Sequence, residues 1–328
     1  TVTTLILIVL LIIGAKNVCI GKSAGYNITE ATSCVCIGTQ AGYRITTGKE
    51  NVCIGLYAGD SITTGYNHVM MGYGCGRSIT TANYNIGIGR LAMYALSSGG
   101  DNVMVGYAAG DAITTGSSNV GVGKQALSAI TTVGFQTAVG HEALKANTTG
   151  YYQTAVGYQA LAAATTGYEL TAFGYKAMDA ATTANYSAAF GAHALGAATT
   201  SYGNTAIGVN AMFTSTTGSD NTALGHFALG QNASGSNNVA IGPHCMRYST
   251  TSAYNVAIGR DTFRLNTTGS HNVAIGYICA PNLTTGGSNV AVGYNNLQAT
   301  TTGGGNTAVG ANAMSKVVTT SSNAAFGD

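Results

Sequence analysis

Glycine recurs at every seventeenth residue from Gly21 to Gly327 without one insertion or deletion. Loops accept length changes readily, so an unbroken register says that no part of the unit is a free loop. A short fixed period also replaces the globular expectation for 328 residues. It points to a quasi-one-dimensional stack in which each unit touches only its neighbours.

Averaged over the copies, the unit reads Asn-(Val/Thr)-Ala-(Ile/Val)-Gly-x-x-Ala-(Leu/Gly/Met)-x-x-x-Thr-Thr-Gly-x-x, as at Asn255-Val256-Ala257-Ile258-Gly259 and Asn272-Val273-Ala274-Ile275-Gly276. The residues before the glycine favour strands, and seventeen residues are too few for a helix-pair repeat. Turn residues such as Thr46-Thr47-Gly48 and Thr284-Thr285-Gly286 dominate the remainder. The expected coil is a strand, a corner at glycine, a second short strand and a second corner. The fold class is therefore all-β, a parallel β-solenoid (β-roll) of about 19 coils with a strict 17-residue repeat.

Alternation on the strand raises the question of partners. Ile258 and Val256 face one way, and the small Ala257 between them faces the other. A strand with one face in water should alternate apolar with polar, but this one is apolar on both. The reading adopted puts the bulky residues inside the coil. The small face, exemplified by Ala274, then packs against further copies of the chain, so that Ala274→Leu or Ala274→Asp should disrupt assembly before the coil. Early units carry Gly after the recurrent Ala (Ala41-Gly42, Ala58-Gly59) and later ones Leu or Met (Ala143-Leu144, Ala211-Met212), which implies a wider interior in the later coils. The Asn four before each glycine should stack as an amide ladder, interrupted at His68, Gln136, Gln153, Leu170 and Ser187.

Two segments are expected: residues 1–16, a degenerate repeat or N-terminal cap or assembly segment, and residues 17–328, a single continuous solenoid. The run Leu5 to Ile13 is too short to span a membrane as a helix. It has the length of a signal core, but no basic stretch precedes it and no clear small-residue cleavage site follows. The register, which places Thr4 at the glycine position, favours a zeroth repeat. A start without Met and an end one residue past a repeat glycine suit a processed form or a fragment.

Charged residues make up 7% of the chain, and the formal charge is +2 with both signs scattered. This gives no nucleic-acid footprint and no polybasic membrane patch. No catalytic, cofactor-binding or metal-binding residue is assigned. The carboxylates form no close repeated pair for acid–base work. The six histidines share no ligand spacing and read as surface-turn residues. Cys19, Cys36 and Cys53 fall where other units carry Ala, and Cys75, Cys245 and Cys279 on a second Ala position. With Cys34 they read as small buried hydrophobes, with an interchain link left open by the odd count. Gly121-Val122-Gly123-Lys124 lacks the first glycine and the Ser/Thr of a phosphate loop. Tyrosines recur just after the glycine (Tyr73, Tyr107, Tyr158, Tyr175, Tyr277, Tyr294) and in the second corner (Tyr66, Tyr151, Tyr168, Tyr202). They could stack on glycans or simply on one another. The Thr pairs could order water, as in ice-binding solenoids, or hydrogen-bond a corner. Asn147, Asn266 and Asn282 head glycosylation sequons.

The pentad Asn-(Val/Thr)-Ala-(Ile/Val)-Gly resembles the head repeat of trimeric autotransporter adhesins. The longer form Asn221-Thr222-Ala223-Leu224-Gly225-His226-Phe227-Ala228-Leu229 is similar to repeats of tail-fibre-like proteins. The resemblance covers roughly residues 14 to 328. It implies a left-handed parallel β-roll and three chains to an assembly; no coiled-coil stalk or membrane anchor is recognisable. The expected function is a non-enzymatic structural fibre or filament protein, a stiff homo-oligomeric rod on a cell or virion surface that can join end to end. The alternative is an adhesin whose Tyr, Asn and Thr rows bind glycans or a host-surface receptor, and the third reading is ice binding.

Overall fold

The computed structural model describes residues 15–327, so the apolar run and the zeroth repeat expected at residues 1–16 fall almost wholly outside the described residues. The described residues form two compact units that meet in sequence between Gln159 and Ala160. Each is a parallel β-solenoid with a seventeen-residue coil, and the described residues contain no helix. The first unit carries nine three-residue strands, from β1 (Val18–Ile20) to β9 (Thr154–Val156), and the second ten, from β10 (Thr171–Phe173) to β19 (Ala324–Phe326). Within each unit, successive strands pair in parallel and in exact repeat register, as in Val35↔Val52, Cys36↔Cys53, Ile37↔Ile54 and Val256↔Val273, Ala257↔Ala274, Ile258↔Ile275.

The second short strand does not form. After the glycine the chain is a succession of turns, with left-handed residues two, four and twelve places on, for example Gln40, Gly42 and Glu50, or His244, Met246 and Tyr254. A left-handed residue with a side chain costs about 1–2 kcal/mol. Backbone hydrogen bonds to neighbouring coils offset that cost all the way round. In the first unit they run from the N–H groups of Gln40, Gly42, Arg44, Thr46, Glu50, Val52 and Gly55 to the carbonyls of Lys22, Ala58, Asp60, Thr63, Thr32, His68 and Ile37, at 2.7–3.0 Å. In the second unit His244, Met246, Tyr248, Thr250, Tyr254, Val256 and Gly259 repeat the scheme at 2.7–3.1 Å. An inserted residue would put part of the coil out of step with two neighbours, which explains the missing insertions.

The inside and the outside of the strand are the reverse of the sequence expectation. Ala274, like Cys36, Met70, Ala138 and Ala257, is fully buried inside its own coil. The flanking Val and Ile side chains point outward. The coil is flat and its interior is shared with residues from the opposite arc, so the strand residue is small unless the facing residue is glycine, as Gly76 is for Met70 and Gly110 for Met104.

The expected widening of later coils is not found either. Interior volume is shared by three positions: two before the glycine, four after it and seven after it. Cys36 faces Gly42 and Ile45, whereas Ala138 faces Leu144 and Asn147, all of them buried. In the second unit Ala257 is matched with Phe263 and Asn266, and Ala274 with Ala280 and Leu283. A bulky residue at one position is balanced by smaller ones at the others, as close-packed interiors require.

Candidate interaction surfaces

The amide row is internal and nearly saturated. Asn272 Nδ2 donates to Gly286 O at 2.9 Å and to Asn255 Oδ1 at 3.2 Å. Its Oδ1 accepts from Asn289 N at 2.8 Å and from Asn289 Nδ2 at 3.0 Å. The same arrangement recurs in the second unit from Asn204 to Asn323. Ser187 holds the row by accepting from Asn204 N, while Leu170 has no polar atom to offer. In the first unit Gln136 substitutes through Nε2 to Gly150 O at 3.0 Å.

His68 substitutes as well, and it corrects the surface-turn expectation for the histidines. It is fully buried, with Nε2 donating to Ala82 O at 2.7 Å and Nδ1 accepting from Asn85 N at 3.2 Å. Burial depresses its pKa, and those two bonds fix the neutral Nε2–H tautomer. The other histidines pack in surface aromatic contacts, His141 on Tyr158, His193 on Tyr175, His226 on His244 and His271 on Tyr254.

The seven cysteines are free thiols. Cys36, Cys53, Cys75, Cys245 and Cys279 are interior residues, and burial pushes the Cys75 and Cys279 thiols up to about 12. A thiol so raised is a poor nucleophile and a poor ligand. Among the described residues no cluster of three His, Cys, Asp or Glu side chains is placed to hold a metal ion.

The threonine corner is hydrogen-bonded. Thr46 Oγ1 donates to Thr63 O at 3.2 Å, and Thr250 Oγ1 to Thr267 O at 3.0 Å. Most coils leave one exposed threonine or none at this corner, such as Thr47 or Thr268. Both are exposed at Thr80-Thr81, Thr131-Thr132 and Thr148-Thr149, so among the described residues no extended paired threonine array forms. Two sequon asparagines are also internal. Asn147 and Asn266 are fully buried and bonded to Gly150 and Gly269, which leaves Asn282 exposed.

What each unit does expose is an apolar stripe along the strand. In the first unit it is made by pairs such as Val69 and Met71, Ile86 and Ile88, and Val103 and Val105. In the second it is made by Thr171 and Phe173, Ala188 and Phe190, Thr222 and Leu224, and Val273 and Ile275. Ile88, Phe190 and Ile275 are each 39% exposed and Leu224 43%. Seven of the nine strands of the first unit and six of the ten of the second contribute two apolar side chains each, and where Thr takes the first outward place, as at Thr171 and Thr222, one apolar side chain remains. A monomer's largest apolar patch is ordinarily about 300–600 Å² and often functional.

Aromatic rows mark the corners. Tyr168, Tyr186 and Tyr202 form one group in the second unit, with centroids 4.9 Å and 5.0 Å apart. Phe135, Tyr151 and Tyr152 form another in the first unit. The tyrosines of the first group meet edge-to-face from coil to coil, Phe135 stacks on Tyr152, and Tyr151, Tyr152, Tyr168, Tyr186 and Tyr202 stay exposed.

No family model, no curated protein and no solved structure matches this chain.

Proposed function

We propose that the protein is a non-enzymatic structural fibre component displayed on a cell or virion surface, and that it assembles with further copies of itself through the outward strand faces. The observation that carries this reading is the apolar stripe, one or two apolar side chains per coil, repeated in step with the coil rise of about 4.8 Å. A surface complementary to such a stripe over many coils must have the same period, and another copy of this solenoid has it. Burying the stripe also covers side chains whose exposure would otherwise cost about 25 cal/mol per Å². Three chains to an assembly is the count implied by the resemblance to adhesin heads and tail fibres. Light scattering on the folded protein should give a trimer. A monodisperse monomer with intact β circular dichroism would remove the proposal.

The aromatic corners favour a second reading, an adhesin or receptor-binding fibre. Tyr168, Tyr186 and Tyr202 present a ring platform of the kind that packs against sugar faces. A glycan-array signal lost in the triple Tyr→Ala variant supports it; an unchanged signal, or none in the parent, leaves the aromatic rows as coil-to-coil packing.

A further inference from the structure

Residues 160–328 contain five basic side chains, and three of them, Arg247, Arg260 and Arg264, fall in two consecutive coils. They occupy the arc that follows the glycine corner, away from the outward strand stripe. Arg247 and Arg264 hold equivalent places, five residues after Gly242 and Gly259, so their side chains rise from the surface one coil apart. Two residues after the preceding glycines stand Phe227 and His244, and His226 lies beside them.

The cluster is organised rather than merely basic. The Arg247 guanidinium lies 4.5 Å from the Phe227 ring centroid and 5.2 Å from that of Tyr248, and Arg264 is 5.9 Å from the same tyrosine. His244 Nδ1 stands 3.5 Å from Arg247 Nη1. The His244 pKa is lowered, chiefly by burial and then by Arg247, so near neutral pH the imidazole accepts from the guanidinium and orients it. His226 packs edge-on against both Phe227 and His244. The one carboxylate present, Asp261, is held by Arg260 at 3.2 Å. Neither Arg247 nor Arg264 forms an ion pair among the described residues.

Cations of the first unit are disposed differently. Arg77 stacks on Tyr57 but faces Asp60 at 3.9 Å, Lys145 is paired with Glu142 at 2.6 Å, and Arg90 lies between the rings of Tyr73 and Tyr107. In these three the charge or the ring-facing surface is already taken, whereas Arg44, Lys49 and the other first-unit cations lack the paired arginines one coil apart on a shared aromatic ring. Arg264 meets one ring, and Arg247, held by two rings and by His244 at Nη1, has no carboxylate partner for its remaining N–H donors among the described residues.

We infer that the arc formed by His226, Phe227, His244, Arg247, Tyr248 and Arg264 binds an anionic saccharide. The guanidinium forks match sulfate or carboxylate groups with two parallel hydrogen bonds. The rings between them offer apolar planes to the C–H faces of the sugar. Two guanidiniums one coil apart suit charged groups on neighbouring sugar residues. Nucleic acid fits less well, because its binding draws on roughly 6–10 phosphate contacts and this arc offers two free guanidiniums.

The test is calorimetric titration of the full chain with a heparin oligosaccharide, hyaluronan, neutral dextran, oligothymidylate and polyglutamate. Binding to heparin or hyaluronan and not to dextran is expected, and the two anionic glycans separate sulfate from carboxylate recognition. Arg247→Ala with Arg264→Ala should weaken it by about tenfold or more, with unchanged circular dichroism. The double Lys variant should retain an intermediate affinity, and Arg44→Ala in the first unit should have no effect. The inference is overturned if no anionic glycan binds, if the double Ala variant binds as the parent does, or if oligothymidylate or polyglutamate binds as tightly.

Discussion

At Gly38 two constraints coincide. Its φ is +126°, and a Cβ built there would lie 2.8 Å from the carbonyl carbon and oxygen of Gly55 in the next coil. Neither strain nor collision can be relieved without moving a neighbour, so Gly38→Ala should cost at least about 3 kcal/mol in urea unfolding. His68 has a different sensitivity. Its folded-state pKa lies below the unfolded value of about 6.5, so the unfolded chain binds the extra proton. The His68 contribution is therefore whole above about pH 6.5 and is lost as pH falls toward the folded-state pKa. Amide exchange around Asn51, His68 and Asn85 should accelerate at pH 5 relative to pH 7.5 in the parent. In His68→Asn, which restores the common residue of the row, that part of the pH response should vanish.

Within one coil, the three interior positions behave as a unit. A side chain at Gly42 would meet Cys36 Sγ at 2.6 Å and Ile45 Cδ1 at 2.7 Å from its Cβ. Gly42→Leu alone should destabilise by about 1–3 kcal/mol through overpacking. Adding Cys36→Ala and Ile45→Ala, which copies the pattern of small strand residue and large corner residue seen at Ala138 and Leu144, should recover most of the loss; denaturation midpoints measure both. The same three positions mark where sequence reasoning succeeded and where it stopped. The period, the corner glycine and the amide row are properties of single positions, and they are visible at Gly276 or Asn272 without coordinates. Inside and outside are not, because Ala274 and its neighbours Val273 and Ile275 are all apolar and alternation alone cannot rank them. The signal that does rank them is the inverse size relation between Cys36, Gly42 and Ile45 on one hand and Ala138, Leu144 and Asn147 on the other. Residues that trade volume must share one interior, and Val52 or Ile54 takes no part in that exchange. The arginine arc was hidden for a related reason. Arg247 and Phe227 are twenty residues apart in sequence and become neighbours only when coils are stacked.

At the scale of the whole molecule, the outward stripe lets folding be tested apart from the proposed assembly. Leu224→Lys with Ile275→Lys places charges on the strand's outer face while leaving Ala223 and Ala274 inside. The variant should keep its β circular dichroism and shift toward the monomer in light scattering; an unchanged oligomer would place the contact elsewhere. The coil-to-coil hydrogen bonds have a kinetic consequence. Within each unit, each strand contacts only its immediate neighbours, so nearly every native contact closes over about one repeat length, a low contact order for an all-β chain. A ribosome adding about 5–20 residues per second delivers one coil in about one to three seconds, whereas a hairpin-sized element forms in about 1–10 µs. Each solenoid unit can therefore wind as it is synthesised, each new coil using the last as its template. The apolar stripe of each unit then emerges coil by coil, so the proposed pairing with a sister chain can begin before translation ends.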